Sequence, residues 1–144
     1  MKNRIIRVFS FIVFITCILS FSSCNNMKAR DLRNEVISVI NAFLEDDSDE
    51  VYQSVKNIIS EENFPAKYEA IHAMLDDIET YTLTIVSFQT SLDDGITINE
   101  GVFGLYSNVG NFVIDASTRS DTEGLASFVI AEDTDNILPP YEGK

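Results

Sequence analysis

Apolar residues recur along this chain with two different periods, and the change from one to the other falls near Thr80. Before it, Leu32, Val36, Val39, Ile40 and Phe43 advance by steps of 4, 3, 1 and 3, one face of a helix. That spacing predicts a helix over 29–45. A polar break follows, Glu45 to Glu50, in which Asp47 with Glu50 three residues on reads as a capping box. Val51, Val55, Ile58 and Ile59 supply the apolar face of a second helix over 48–60. Ser60 to Asn63 breaks the pattern again. Pro65 then suits a helix first turn, because its fixed φ is already helical. Tyr68, Ile71, Leu75 and Ile78 give a third face over 65–79.

Beyond Thr80 the residues become β-branched and aromatic, which suits a pleated sheet. Tyr81–Phe88, Gly101–Ser107, Phe112–Ser117 and Leu125–Ala131 read as strands, and Ile96–Glu100 as a short strand of its own or a loop. Asp93-Asp94-Gly95, Asn108–Asn111 and Arg119–Gly124 read as turns. Short polar turns join antiparallel neighbours. Gly101 and Gly104 inside strand pattern predict a bulge or strong curvature. Helices followed by a meander give an α+β class: about three N-terminal helices packed on a curved antiparallel sheet of about four strands. The single domain spans 30–131, and 132–144, with Pro139-Pro140, is expected to be a flexible C-terminal tail.

The N-terminal stretch fits neither period. Lys2, Arg4 and Arg7 precede an apolar run from Val8 to Phe21, and small Ser22 and Ser23 precede Cys24. Positive start, apolar middle and small-residue end make a secretory signal over 1–23. The run is about 14 residues, too short for the ~20 of a spanning helix. Phe21-Ser22-Ser23-Cys24 resembles the lipobox of bacterial lipoproteins, with Phe21 where leucine is usual. The resemblance implies cleavage before Cys24, a diacylglycerol on its thiol, and a further acyl chain such as palmitate on the new N-terminus. Each buried CH₂ is worth ~0.8 kcal/mol, and two or three chains together hold a protein on a membrane. Residues 24–29 would then be a short lipidated tether. Asn25 rather than Asp after the cysteine points to the periplasmic face of the outer membrane over the inner membrane. The alternatives are an ordinary secretory signal with an incidental cysteine, or an uncleaved anchor. Cys17 leaves with the signal and the Cys24 sulfur is acylated, so stability must come from the core rather than a disulfide.

Charge narrows the partners. Seven basic residues face 23 acidic ones after Cys24, a net charge of −16. Such a surface repels phosphate, which argues against nucleic acid. A well-solvated surface accounts for the acidity on its own.

Chemistry-bearing residues are sparse. His72 is the sole histidine, with Tyr68 four residues before and Asp76 four after. It makes a local helix pair, or a poor zinc site for want of a second histidine or a free thiolate. The acidic clusters fail an EF-hand pattern, which needs Gly sixth and Glu twelfth. From Asp46 those positions are Val51 and Asn57, and from Asp133 they are Leu138 and Lys144. Turns and caps explain the clusters, with an irregular calcium site as the alternative. The sequence carries no Gly-rich phosphate loop, Gly-x-Ser-x-Gly elbow or Cys–His pair, so it implies no cofactor. Asp115 sits between Ile114 and Ala116, and points outward if those two face the core. Tyr81 and Tyr106 could line a pocket or simply pack.

The element order resembles the cystatin-like, nuclear-transport-factor-2-like α+β superfamily over Lys28–Ala131. Phe43-Leu44-Glu45-Asp46 closing the first helix and the final strand Gly124–Ile130 carry the likeness. Leu125 stands where that family usually has Trp. The resemblance implies a bent sheet wrapped around helices, with an internal pocket. Some members are isomerases or dehydratases that place Asp, Tyr or His in it. His72, Asp76, Tyr81, Tyr106 and Asp115 are the candidates for such a site. The resulting expectation is a membrane-anchored envelope lipoprotein, attached through Cys24, that binds a small apolar ligand or an envelope protein without catalysis. A small lyase or isomerase, or an assembly subunit pairing through a sheet edge, are the alternatives.

Overall fold

Leu32, Val36, Val39, Ile40 and Phe43 are all buried along one face of a helix over residues 28–44 (α1) in a computed structural model, which describes residues 28–141. The expected signal over 1–23 and Cys24 lie outside the described residues. Lys28 and Ala29, the end of the expected tether, are already helical. Among the described residues two further helices follow, α2 (Ser48–Val55) and α3 (Phe64–Leu75). Four strands come next: β1 (Tyr81–Asp93), β2 (Ile96–Ser107), β3 (Asn111–Arg119) and β4 (Ser127–Glu132). They form one antiparallel sheet in the order β1-β2-β3-β4. The α+β class and the meander follow the predicted pattern. Leu83, Phe103, Leu105, Phe112, Ile114 and Ala116 of the sheet share one core with α1, Val51, Val55 and Leu75.

The helix ends show what limits each element. At the end of α1, Asp46 takes a left-handed conformation (φ 56°). The Asp47 amide donates to Ala42 O at 2.8 Å and that of Asp46 to Phe43 O at 3.3 Å, a Schellman closure. Asp47 Oδ1 then accepts the Glu50 amide at 3.0 Å, which starts α2 as expected. The Glu50 carboxylate accepts from Ser38 Oγ at 3.3 Å instead of completing a reciprocal box. α2 stops at Val55, short of the predicted 60, because its next carbonyl is taken: the Leu125 amide donates to Ser54 O at 2.9 Å. The Ile58 amide turns to Val55 O at 2.8 Å instead. α3 carries Pro65 in its first turn and ends at Leu75, before the predicted 79. There Asn108 holds the exit: its Oδ1 accepts from Glu79 and Thr80 amides and its Nδ2 donates to Asp77 O.

Ile96–Glu100 belongs to β2, so β1 and β2 form one long hairpin. Asp94 (φ 48°) and Gly95 (φ 82°) make the two-residue turn, both with the positive φ that matches strand twist. The predicted irregularity sits on the partner of the glycine-bearing strand: β1 shifts register between Ile85 and Ser87. One extra residue, Val86, exchanges the faces, so Leu83 pairs with Leu105 before it and Phe88 with Gly101 after it. Gly101 and Gly104 serve close packing. A side chain at Gly101 would meet the Phe103 ring at 2.8 Å, and one at Gly104 the Tyr106 ring at 2.9 Å.

The segment beyond Ala131, expected to fray, makes specific contacts. The Asp133 amide donates to Asn111 O at 2.8 Å, and its carboxylate accepts from the Ile137 and Leu138 amides. Leu138 is buried beside Gly104, on the sheet face away from the helices.

Candidate functional site

A groove of about 610 Å³ lies between α2, α3 and β4. Val51 and Val55 of α2, Ile58 and Ile59 of the following turn, and Phe64, Tyr68, Ile71 and Met74 of α3 form one wall. Phe43, at the end of α1, also lines it. Phe128, Val129 and Ile130 of β4 form the opposite wall. Successive strand residues point to opposite faces. A lining that contains three in a row therefore runs along the strand's edge, not over one face.

Aromatic rings organise the helical wall. Phe43 stacks on Tyr68 at 5.2 Å, Phe64 tilts against Tyr68 at 5.6 Å, and His72 stacks on the other end of the row, 5.5 Å from Tyr68. Such pairs are favourable beyond the area they bury. At the rim the Tyr68 hydroxyl donates to Asp46 Oδ1 at 2.8 Å. His72 Nε2 lies 3.6 Å from the same oxygen. Asp46 is a strained and exposed carboxylate: an L-residue pays roughly 1 kcal/mol for the left-handed region, and the C-terminal end of a helix disfavours an anion. Burial, the hydrogen bond to Asp46 and the charges of Asp46 and Asp47 push the Tyr68 phenol up to about 12. At neutral pH Tyr68 is thus a hydrogen-bond donor, not a base.

The five residues proposed from sequence fall in separate places. His72 and Asp76 are both on α3, but the carboxylate beside His72 is Asp46, and Asp76 caps the helix end in solvent. Tyr81 starts β1 and its hydroxyl donates to Asn41 Oδ1 of α1 at 2.6 Å. Burial raises its pKa against the opposing charge of Arg33. Tyr106 lies on the other face of the sheet, where it donates to Pro139 O at 2.7 Å and packs on Tyr141. Asp115 is exposed on that outer face, in register between Val102 and Val129. None of the five lines the groove. The i, i+4 spacing of Tyr68 and His72 was visible in the sequence. The approach of Asp46 was not, because it depends on the α1 terminus folding back on α3.

Among the described residues no cluster of three or more His, Cys, Asp or Glu side chains is placed to hold a metal ion. Among the same residues no helix is long and apolar enough to cross a membrane. No family model, curated protein or solved structure matches the chain.

Proposed function

We propose that this chain is a cell-envelope lipoprotein, anchored in the membrane through Cys24, whose folded domain acts by binding rather than by catalysis. The single observation that carries the binding reading is the groove between α3 and β4. It is walled by aromatic and aliphatic side chains and open to solvent-exposed polar groups at its rim, the character of a recognition site for an apolar ligand or partner segment. The order of helices before a meander supports the cystatin-like likeness, and the β1 bulge supports a curved sheet. The lipobox and the short tether support a position close to the outer membrane's periplasmic face.

Two measurements test this. Replacing Cys24 by alanine should abolish labelling by a palmitate analogue and leave the chain at its unprocessed mass, with residues 1–23 still attached, and labelling that persists would remove Cys24 as the anchor. For the groove, the full chain in zwitterionic nanodiscs is titrated with a spin-labelled fatty acid. The probe should broaden NMR signals of Ile71, Met74 and Ile130 before those of Leu92 and Ile137, apolar side chains exposed outside the groove. Equal broadening at both sets would remove the groove as a binding site.

A further inference from the structure

Cations are scarce in this chain, and the fold engages most of those it holds. Beyond the first turn of α1 the described residues include Arg33, Lys56, Lys67 and Arg119. Arg33 donates to Leu83 O, Lys56 Nζ to Gln53 Oε1, and Arg119 forks onto the Asp121 carboxylate. Lys67 differs. Among the described residues the side-chain ion pairs are His72 with Asp46 and Arg119 with Asp121, and Lys67 enters neither.

The unpaired cation stands in the groove. Among the described residues that line it, Lys67 alone carries a charge. Residues three and four positions away on a helix are surface neighbours. For Lys67 these are Asn63, Phe64, Ala70 and Ile71, all of them lining residues and all uncharged. Glu69, two positions on, lies about 200° round the helix and faces elsewhere. Asp46, at the rim, already accepts from the Tyr68 hydroxyl and is faced by His72. A lysine stem lies along apolar surface while its ammonium stays in water. The exposed Lys67 therefore sets one positive charge at the mouth of an apolar groove.

Size narrows the occupant. The groove's 610 Å³ falls within the ~300–1,000 Å³ of small-molecule sites. At roughly 30 Å³ for a water-sized group such as a methylene, it holds about twenty groups, enough for one acyl chain and its head but not for two chains. An acyl chain borne by Cys24 ends in an ester or an amide and brings no anion to Lys67.

We propose that the groove binds a free long-chain fatty acid, its single acyl chain lying between α3 and β4 and its carboxylate paired with Lys67. This rests on the binding reading above and names its ligand class. The apolar walls would give affinity, and Lys67 would select an anionic head.

The test uses the isotopically labelled full chain in zwitterionic nanodiscs, titrated at neutral pH with dodecanoic acid, dodecanol or dodecyltrimethylammonium. NMR signals of Ile71, Met74 and Ile130 follow binding. Each ligand is compared between the native chain and Lys67 variants in identical nanodiscs, so its partition into the bilayer cancels. Lys67→Met keeps an aliphatic stem and removes the charge. It should weaken dodecanoic acid about three- to fivefold, the effect of one exposed ion pair, and leave dodecanol unchanged. Lys67→Glu should weaken the acid further and strengthen the trimethylammonium ligand, whereas Lys67→Arg should keep native affinity for the acid. Added salt should shrink the difference between native and Lys67→Met. The proposal is overturned if Lys67→Met weakens acid and alcohol alike, or weakens neither. It is also overturned if Lys67→Glu leaves the preference between acid and cation unchanged. In those cases dodecanol still shifting the three groove signals would leave the binding reading standing alone. If none of the three ligands shifts them, both readings fall.

Discussion

The Tyr68 hydroxyl and Asp46 Oδ1 meet at 2.8 Å across the rim of the groove, joining the end of α1 to the middle of α3. The phenol, ordinarily at 10.0, is pushed up to about 12 by burial, by this hydrogen bond and by nearby carboxylates. A raised folded value means that the fold favours the protonated phenol. Its stabilising contribution is therefore present below about pH 10 and is lost as pH rises through about 12. A difference titration of tyrosinate absorbance, native against Tyr68→Phe, should show this late ionisation. Asp46→Gly should bring it back toward 10 while relieving roughly 1 kcal/mol of left-handed strain. An unchanged titration in Asp46→Gly would show that burial and the Asp47 charge set the shift without Asp46.

Gly124 joins β3's following turn to α2. It has φ +75°, and a side chain there would sit 2.8 Å from Ser54 O, the carbonyl that ends α2. Gly124→Ala should therefore lower stability by about 2 kcal/mol, from left-handed strain plus the backbone clash. Urea unfolding measures it, and a loss below about 0.5 kcal/mol would show that the loop moves freely aside.

Arg33 holds the β1 edge. Arg33→Met keeps most of the aliphatic stem but removes both bonds to Leu83 O. The expected cost is about 1–3 kcal/mol, the range for hydrogen bonds from a charged group. Guanidinium unfolding at unchanged slope would read it directly. A neutral result would assign the Leu83 carbonyl to water in solution.

Leu138 fastens the C-terminal segment to the outer face. It is 8% exposed and contacts the space over Gly104. Leu138→Ala should cost about 2 kcal/mol, the low end for leucine because a chain end can relax into the gap. It should also speed amide exchange at Ile137 and Leu138, whose donors rest on the Asp133 carboxylate. Native exchange rates in the variant would mean that Asp133 alone holds the segment.

The sequence by itself determined where helix gives way to strand, which faces are apolar and that the strands form an antiparallel meander. These are local properties: side chains at i, i+3 and i+4 or at i, i+2 share a face whatever the chain later packs against. Asp47 as a helix cap and Asp94-Gly95 as a turn were legible for the same reason, because their bonds reach only a few residues. Helix lengths were not. The Ser54 carbonyl could have extended α2 but is claimed by Leu125, and the exit of α3 is held by Asn108 from the β2–β3 turn. The groove lay further out of reach still. Phe43, Tyr68 and Ile130 each look like ordinary core residues in sequence, and only packing leaves a space between them. Asp46 reads as one acid in a polar break until the α1 terminus turns it against Tyr68. Those pairings join residues distant in sequence, and their partners are chosen by the tertiary structure.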